Sequence, residues 1–586
     1  VSENVTDLTD VTERETDVLI VGGGLGGVAA ALAAARMGRR VVMTEETDWI
    51  GGQLTAQAVP VDEHQWIEQF GGTRSYRALR AAARQYYRDH YPLTSAARQE
   101  IELNPGAPLV NRLSCEPRVW LAVMEALLAP YRAAGRVTVW LRHHPVSAET
   151  DGDRLRAVTL LDAETGRRRT FSAPYVLDAT ELGDLLPLGG VEHVTGRESQ
   201  AETGEPHAVR GPAQPHVMQA FTWVFAVDYH PGEDHTIARP ATYDTWRPHF
   251  RWPPAGTPAS VEMFPDPATE AFSLWRYRRI LYKGHFEPGF FPSDVVLINW
   301  RNDYPFGPLI GVPEDEAQKH WHLAREMSLS HLYWLQHDAP RPDGGAGYPG
   351  LRLRPDVVGT NHGLAKYPYV RESRRIKAQT TILEQHVGAV ARAAVCGADV
   401  RGAERYPDSV GIGRYGLDFH ACTPIEPGGP PVRTEIGPIG GIGSETGGDT
   451  PDGGHTLHTH DVWPFQIPLG ALLPVRVENL VAAGKNIGTT HLSNSCYRLH
   501  PIEWNTGEAA GLLVAYCLER GHTPSQVRAT PALLEEFQLL LRRQGVETAW
   551  PTIGPGRSYH KWAVDQKKWW WGETDLPWHS HAGPAY

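Results

Sequence analysis

From Val18 to Ala35 the chain carries no charged residue, yet the run changes character along its length. Asp17-Val-Leu-Ile-Val21 is a short β-branched stretch that predicts a buried parallel strand. Glycines then crowd into Gly22-Gly23-Gly24-Leu25-Gly26-Gly27, and Val28 to Met37 reads as an alanine-rich helix ended by Gly38. Arg40 to Thr44 predicts a second strand, with Glu45 at its C-terminal end. Residues 61–135 read as helical, rich in Arg, Tyr and Ala, as in Tyr76 to Tyr87. Short strands follow at Val137 to Leu141, Leu155 to Leu161, Arg169 to Ser172 and Tyr175 to Leu177, with turns at Asp151-Gly152 and Glu164-Thr165-Gly166. Ala220 to Asp228 and Val295 to Trp300 are strand-like among Pro-rich connections. Asn479 to Ala483 predicts a further strand, a loop carries the chain to Pro501, and helices follow through Thr506 to Leu518 and at Pro531 to Gln544.

An uncharged run of this length invites a membrane reading, but its flank opposes one. Glu3, Asp7, Asp10, Glu13, Glu15 and Asp17 face a single Arg14, the reverse of a secretory leader's basic start. No other apolar run approaches the ~18 residues of a membrane span. Composition supports folded, non-membrane material: 41% hydrophobic and 21% charged residues in 586, enough for several structural units. A net charge of −12 makes nucleic acid a poor partner. Five cysteines form no disulfide framework and read as reduced thiols, so a cytoplasmic location is expected. The 27 His and 19 Trp point either to an aromatic, proton-transferring site or to a compositional habit.

The chemistry begins at the first turn. Gly22, Gly24 and Gly27 supply a tight turn, a close approach for a pyrophosphate and a close helix–strand contact, while Glu45 is placed for a ribose hydroxyl. An acid there favours an unphosphorylated adenosine ribose, as in FAD or NAD. Gly411-x-Gly413-x-x-Gly416 repeats the spacing, but Pro407-Asp408 precedes it and no helical period follows, so it reads as a loop. His455, His458 and His460 could ligate a metal, serve substrate or lie in a solvated loop; without a cysteine among them no metal is expected. No C-x-x-C pair exists for dithiol chemistry, which argues against a flavin-disulfide reductase.

Several stretches carry a resemblance. Ile50-Gly51-Gly52-Gln53-Leu54-Thr55 resembles the continuation after the acid in glutathione-reductase-like flavoproteins. Asp178-Ala179-Thr180-Glu181-Leu182-Gly183-Asp184 resembles their second flavin contact, with Glu181 where Gly is common. Tyr369 to Ile376, Pro464 to Leu469, and Asn479 to Gly511 with its Arg498-Leu-His500-Pro501 resemble the FAD-dependent oxidoreductase family of bacterial flavoproteins. The resemblance implies an α/β, three-layer Rossmann-like FAD-binding domain built from discontinuous segments (1–60, 136–198, 441–525), with a helical insertion (61–135), an inserted α+β substrate domain (199–440) and a C-terminal helix and Trp-rich tail (526–586). FAD is expected to be non-covalent, since Gln53 stands where some relatives have histidine and His64 is the nearest alternative.

Cofactor contacts are then expected from Gly22, Gly24, Gly27, Glu45, Gly51, Gly52, Gln53, Asp178, Ala179, Thr180, Asp184, Gly484, Asn486, Arg498, Gly507 and Ala510. His491 and His500 are the candidate bases, flanking the loop expected to reach the flavin, and Asn494 is expected to orient one of them or bind substrate. Asp418, His420 and Arg371 are candidate substrate residues. The leading expectation is a dehydrogenase or oxidase that moves hydride from a carbinol C–H of a small, sugar-like molecule to flavin N5. An NAD(P)H-fed monooxygenase or reductase, and a non-catalytic FAD-binding component, stand as alternatives. Homo-oligomerisation and the role of Trp569 to Trp571, whether covering, lining a cleft or contacting a subunit, stay open.

Overall fold

The computed structural model describes residues 12–64, 66–109, 111–250, 263–264, 273–397, 400, 402–426, 428–432 and 461–550. The His455, His458 and His460 group and Trp569 to Trp571 lie outside them. Among the described residues no helix is long and apolar enough to cross a membrane.

A five-stranded parallel sheet takes its strands from distant parts of the chain, in the spatial order Leu480–Ala482, Tyr175–Asp178, Val18–Val21, Val41–Glu45, Val137–Leu141. The first four are buried along their whole length, as parallel strands covered on both faces must be. The helix Leu25–Arg36 covers the sheet and packs on the closing helix His500–Arg520. Small residues set that crossing: a Cβ on Gly507 would lie 2.0 Å from the Gly26 carbonyl, and one on Gly511 2.4 Å from that of Ala30. The helix Leu25–Arg36 starts three residues before the expected Val28, because Gly26 and Gly27 are already helical.

A second sheet orders Thr12–Glu15, Arg168–Ser172, Arg154–Asp162 and His143–Asp151. The last of these was not expected from sequence. Its ladder slips between Pro145 and Ser147 and again between Glu149 and Thr150, and most of its side chains are at least partly exposed, which erases a clean alternation. A third sheet is ordered Arg279–Leu281, Val295–Ile298, Phe225–Tyr229, Leu351–Leu353. The expected strand Ala220 to Asp228 is broken in two. Phe225–Tyr229 joins this sheet, while Phe221–Thr222 pairs with Asp303–Tyr304 and sets Thr222 opposite Asp303.

Two loop expectations are corrected. Ser409–Gly413 is a strand paired with Phe465–Pro468, and Gly411 and Gly413 let it lie on the closing helix, where a Gly411 Cβ would meet the Asn505 side chain at 2.3 Å. His491–Tyr497 is a helix, started by Thr490, whose hydroxyl accepts from the Ser493 amide at 3.2 Å.

Candidate functional site

The turns at the C-terminal edge of the parallel sheet form the place where such sheets bind ligands. Gly22 has φ 99°, and a Cβ on it would sit 2.2 Å from the Ala179 carbonyl, so two strand ends cross with no room for a side chain. Gly24 caps the first helix without a side-chain hydrogen bond. Glu45 bridges back to this turn: one carboxylate oxygen accepts from the Gly23 amide at 2.9 Å, the other from the Thr47 amide at 2.9 Å and hydroxyl at 2.8 Å. Burial pushes its pKa up to about 7 against those hydrogen bonds. The Gly51 amide donates to the Gly23 carbonyl at 2.7 Å, joining the second glycine pair to the first turn. Gln53 donates to the Arg498 carbonyl at 3.0 Å and to Glu503. Gln53 Oε1 and Glu181 Oε1 are buried acceptors with no partner. Such unsatisfied acceptors are costly and call for donors such as a dinucleotide's hydroxyls, while the side-chain-free cradle and the helix start fit its diphosphate.

Other expected cofactor residues turn inward. Asp178 accepts from the Thr180 amide at 3.0 Å and hydroxyl at 2.7 Å; that hydroxyl accepts from the Asp184 amide at 2.7 Å. Asn486 donates to the Asp178 carbonyl at 3.1 Å, and its side-chain oxygen accepts from the Gly484 amide at 3.3 Å, so these residues knit the ends of the strands Tyr175–Asp178 and Leu480–Ala482. Gly507 and Ala510, expected at the cofactor, take part in helix packing. Gly507 sits against the Gly26 backbone, and Ala510 is fully buried further along the same helix.

On the other side of Arg498 an alternating charge network gathers the substrate candidates. Arg498 donates to Asp418 Oδ2 at 2.9 Å and to the Tyr369 hydroxyl. Asp418 Oδ2 lies 3.7 Å from His420 Nε2, whose other nitrogen, Nδ1, is 2.7 Å from Asp303 Oδ2. Arg371 donates to Asp303 Oδ1 at 3.0 Å and to the Thr222 hydroxyl at 2.8 Å, and that hydroxyl donates to Asp303 at 2.5 Å. Burial and Arg371 oppose a charge on His420, but Asp303 and Asp418 outweigh them and raise its pKa above the ordinary 6.5. Arg371 and His420 hold Asp303 well below the usual carboxylate range despite its burial. Asn494 donates to the Arg371 carbonyl at 3.1 Å, so it positions this arginine rather than an imidazole. Sequence reasoning missed Asp303, Thr222 and the tie from Tyr369 to Arg498. Only the strand signal at Val295 to Trp300, which sets the turn before Asp303, pointed that way.

The two favoured bases, His491 and His500, both have partners within the protein. His491 is 1% exposed; its Nδ1 lies 3.0 Å from both Glu372 oxygens and its Nε2 3.8 Å from Cys422 Sγ. Burial works against an imidazolium there, yet Glu372 and Cys422 push the pKa up to about 10, so the ring is a fixed cation at neutral pH. His500 Nδ1 accepts from the Asp62 amide at 3.0 Å, which leaves the neutral ring's hydrogen on Nε2, and burial pushes its pKa down to about 4. That ring presents a donor, not a base.

A stability prediction follows from His491. A histidine whose folded pKa exceeds 6.5 contributes stability that is complete below that value and lost as pH rises through about 10. Glu372→Gln strips the buried cation of its partner and is expected to destabilise the fold by about 3 kcal/mol near neutrality and to flatten that alkaline decline. Urea unfolding at several pH values checks both, and equal slopes in wild type and variant would contradict the pairing.

Comparison with known proteins bears on these arrangements together. The family model described as FAD dependent oxidoreductase matches residues 17–541. Hydroxyneurosporene desaturase of Rhodobacter capsulatus is 52% identical over 46 residues, 8% of this chain and 9% of the relative. Thiamine thiazole synthase of Desulfosudis oleivorans is 27% identical over 162 residues, 26% of this chain and 57% of the relative. The chain thus spans less than two thirds of either relative's length. Among solved structures, a geranylgeranyl bacteriochlorophyll reductase-like protein from Thermoplasma acidophilum aligns over 95% of this chain and 88% of its own, at 10% identity and a TM-score of 0.30. The rebeccamycin biosynthetic enzyme RebC with reduced flavin aligns over 37% and 38%, at 18% identity and a TM-score of 0.21.

Proposed function

The chain belongs to the FAD dependent oxidoreductase family, matched over residues 17–541, and from that premise we propose that it oxidises a C–H bond beside a hydroxyl of a small polyhydroxylated substrate, with His420 receiving the hydroxyl proton. Its cofactor is FAD, which when bound supplies the two-electron acceptor that no side chain provides. Gly22, Gly24, Gly51 and Gly52 would wall the cofactor cradle, Glu45 would meet the ribose and Gln53 the polar stretch beyond.

One arrangement carries the reading. His420 is a part-buried imidazole held between two carboxylates, Asp303 at 2.7 Å and Asp418 at 3.7 Å, each tied to its own arginine. Once deprotonated it is a strong base, and the imidazolium formed on accepting a proton is stabilised where it stands. Arg371 and Arg498 fix the carboxylates, so the ring keeps its orientation through the proton transfer. Phe221, Trp246, Tyr304 and Phe306 pack on one another in the core on the other face of that strand pair. The charged groups of the network suit the hydroxyls of a polyhydroxylated substrate.

The sign of the pH dependence follows. Substrate oxidation needs neutral His420, and its pKa lies above 6.5, so the rate of flavin reduction is expected to rise through that pKa, by up to about tenfold per pH unit below it. Stopped-flow reduction between about pH 6 and about pH 9 tests this. A rate that is flat or falls across the window removes His420 from the role.

A further inference from the structure

Lys485 is buried, its side chain 1% exposed, and its ammonium contacts Glu181 Oε2. The other oxygen, Glu181 Oε1, has no hydrogen-bond partner and points between the two glycine turns: a Cβ on Gly24 would lie 2.9 Å from it, one on Gly52 2.6 Å. A second carboxylate shares the gap. Glu503 Oε1 would be 3.4 Å from the same Gly24 Cβ, and the Gly26 amide hydrogen-bonds to this carboxylate at the helix start. Glu45, Glu46 and Asp184 add their fields to Glu181, and Tyr367 adds a phenol, while Arg374 is held by Asp184 at 3.1 Å. A gap walled by glycine, with a helix start on one side and a buried ammonium on the other, suits an anion. What stands there is the protein's own carboxylate, with one oxygen lacking a donor.

Resting on FAD as the cofactor, we propose that Lys485 is the counter-ion of the FAD diphosphate and that Glu181 is its placeholder. Loading exchanges the carboxylate for the diphosphate on the ammonium.

Full-length protein stripped of flavin and retitrated with FAD at fixed pH, followed by flavin fluorescence, tests the exchange. Lys485→Met alone would strand Glu181 as a buried unpaired charge and risk the fold, so the informative pair is Glu181→Gln and Glu181→Gln/Lys485→Met, in which Glu503 keeps its hydrogen bonds from Gln53 and the Gly26 amide. Melting temperatures establish that both variants are folded. Glu181→Gln is expected to bind at least as tightly as wild type, because no placeholder has to leave. The double variant is expected to bind about tenfold to hundredfold more weakly than Glu181→Gln. Equal affinities for the single and double variants would show that Lys485 only balances Glu181, and weaker binding by Glu181→Gln than by wild type would remove the placeholder; either overturns the exchange. Failure of wild type to bind FAD would overturn the exchange and the cofactor assignment together.

Discussion

Gly26→Ala is expected to yield no folded, flavin-retaining protein. The added Cβ would lie 1.8 Å from the Ala483 carbonyl oxygen and 3.4 Å from that of Glu503. Both obstacles are backbone, one just past the strand Leu480–Ala482 and one in the closing helix. Overpacking costs about 1–3 kcal/mol where side chains can shift, and here none is available to do so, so the cost passes the upper end of that range. Total stability of a domain is about 5–15 kcal/mol, and the same contact places the helix start at the glycine cradle. Gly23→Ala is expected to be milder, because its Cβ meets the Glu45 side chain at 2.9 Å. Gly211→Ala, with nothing within 4 Å, is the neutral control. Soluble yield, flavin-to-protein ratio and melting temperature rank the three. A Gly26→Ala protein that melts like wild type and keeps its flavin would show that this crossing does not set the fold.

His420→Gln carries the second large effect. Glutamine can keep a hydrogen bond to Asp303 but cannot accept a proton. The rate of flavin reduction is expected to fall by about 10²- to 10⁴-fold, and the alkaline rise is expected to disappear with it. His491→Gln is expected to lower stability while leaving the alkaline rise in place, because that ring is a fixed cation beside Glu372. Reduction rates and unfolding midpoints for both variants separate the roles. A His420→Gln enzyme that reduces its flavin at the wild-type rate would contradict the assignment.

What sequence reading reached was set by distance along the chain. Strand, glycine turn, helix and Glu45 all fall between residues 17 and 45, where local spacing dictates geometry, and each element is found there, with the helix start moved from Val28 to Leu25. The Asp418-x-His420 pair was visible for the same reason. Its partners were not: Asp303 is 117 residues from His420 and reaches it because the expected strand Ala220 to Asp228 breaks after Thr222. Glu372 meets His491 across 119 residues, and that contact turns the favoured base into a cation. Motif resemblance marked Gly507 and Ala510 as important but could not say which side of the helix needed them. Neither side of the Lys485–Glu181 contact shows its purpose locally, since they meet across 304 residues.

Anaerobic absorbance of the enzyme-bound FAD, exposed to a panel of secondary alcohols and sugars without nicotinamide, tests the central claim most directly. Bleaching by at least one polyol, faster at higher pH and lost in His420→Gln, is the predicted result. Bleaching by NADH or NADPH alone, with every polyol inert, would contradict it.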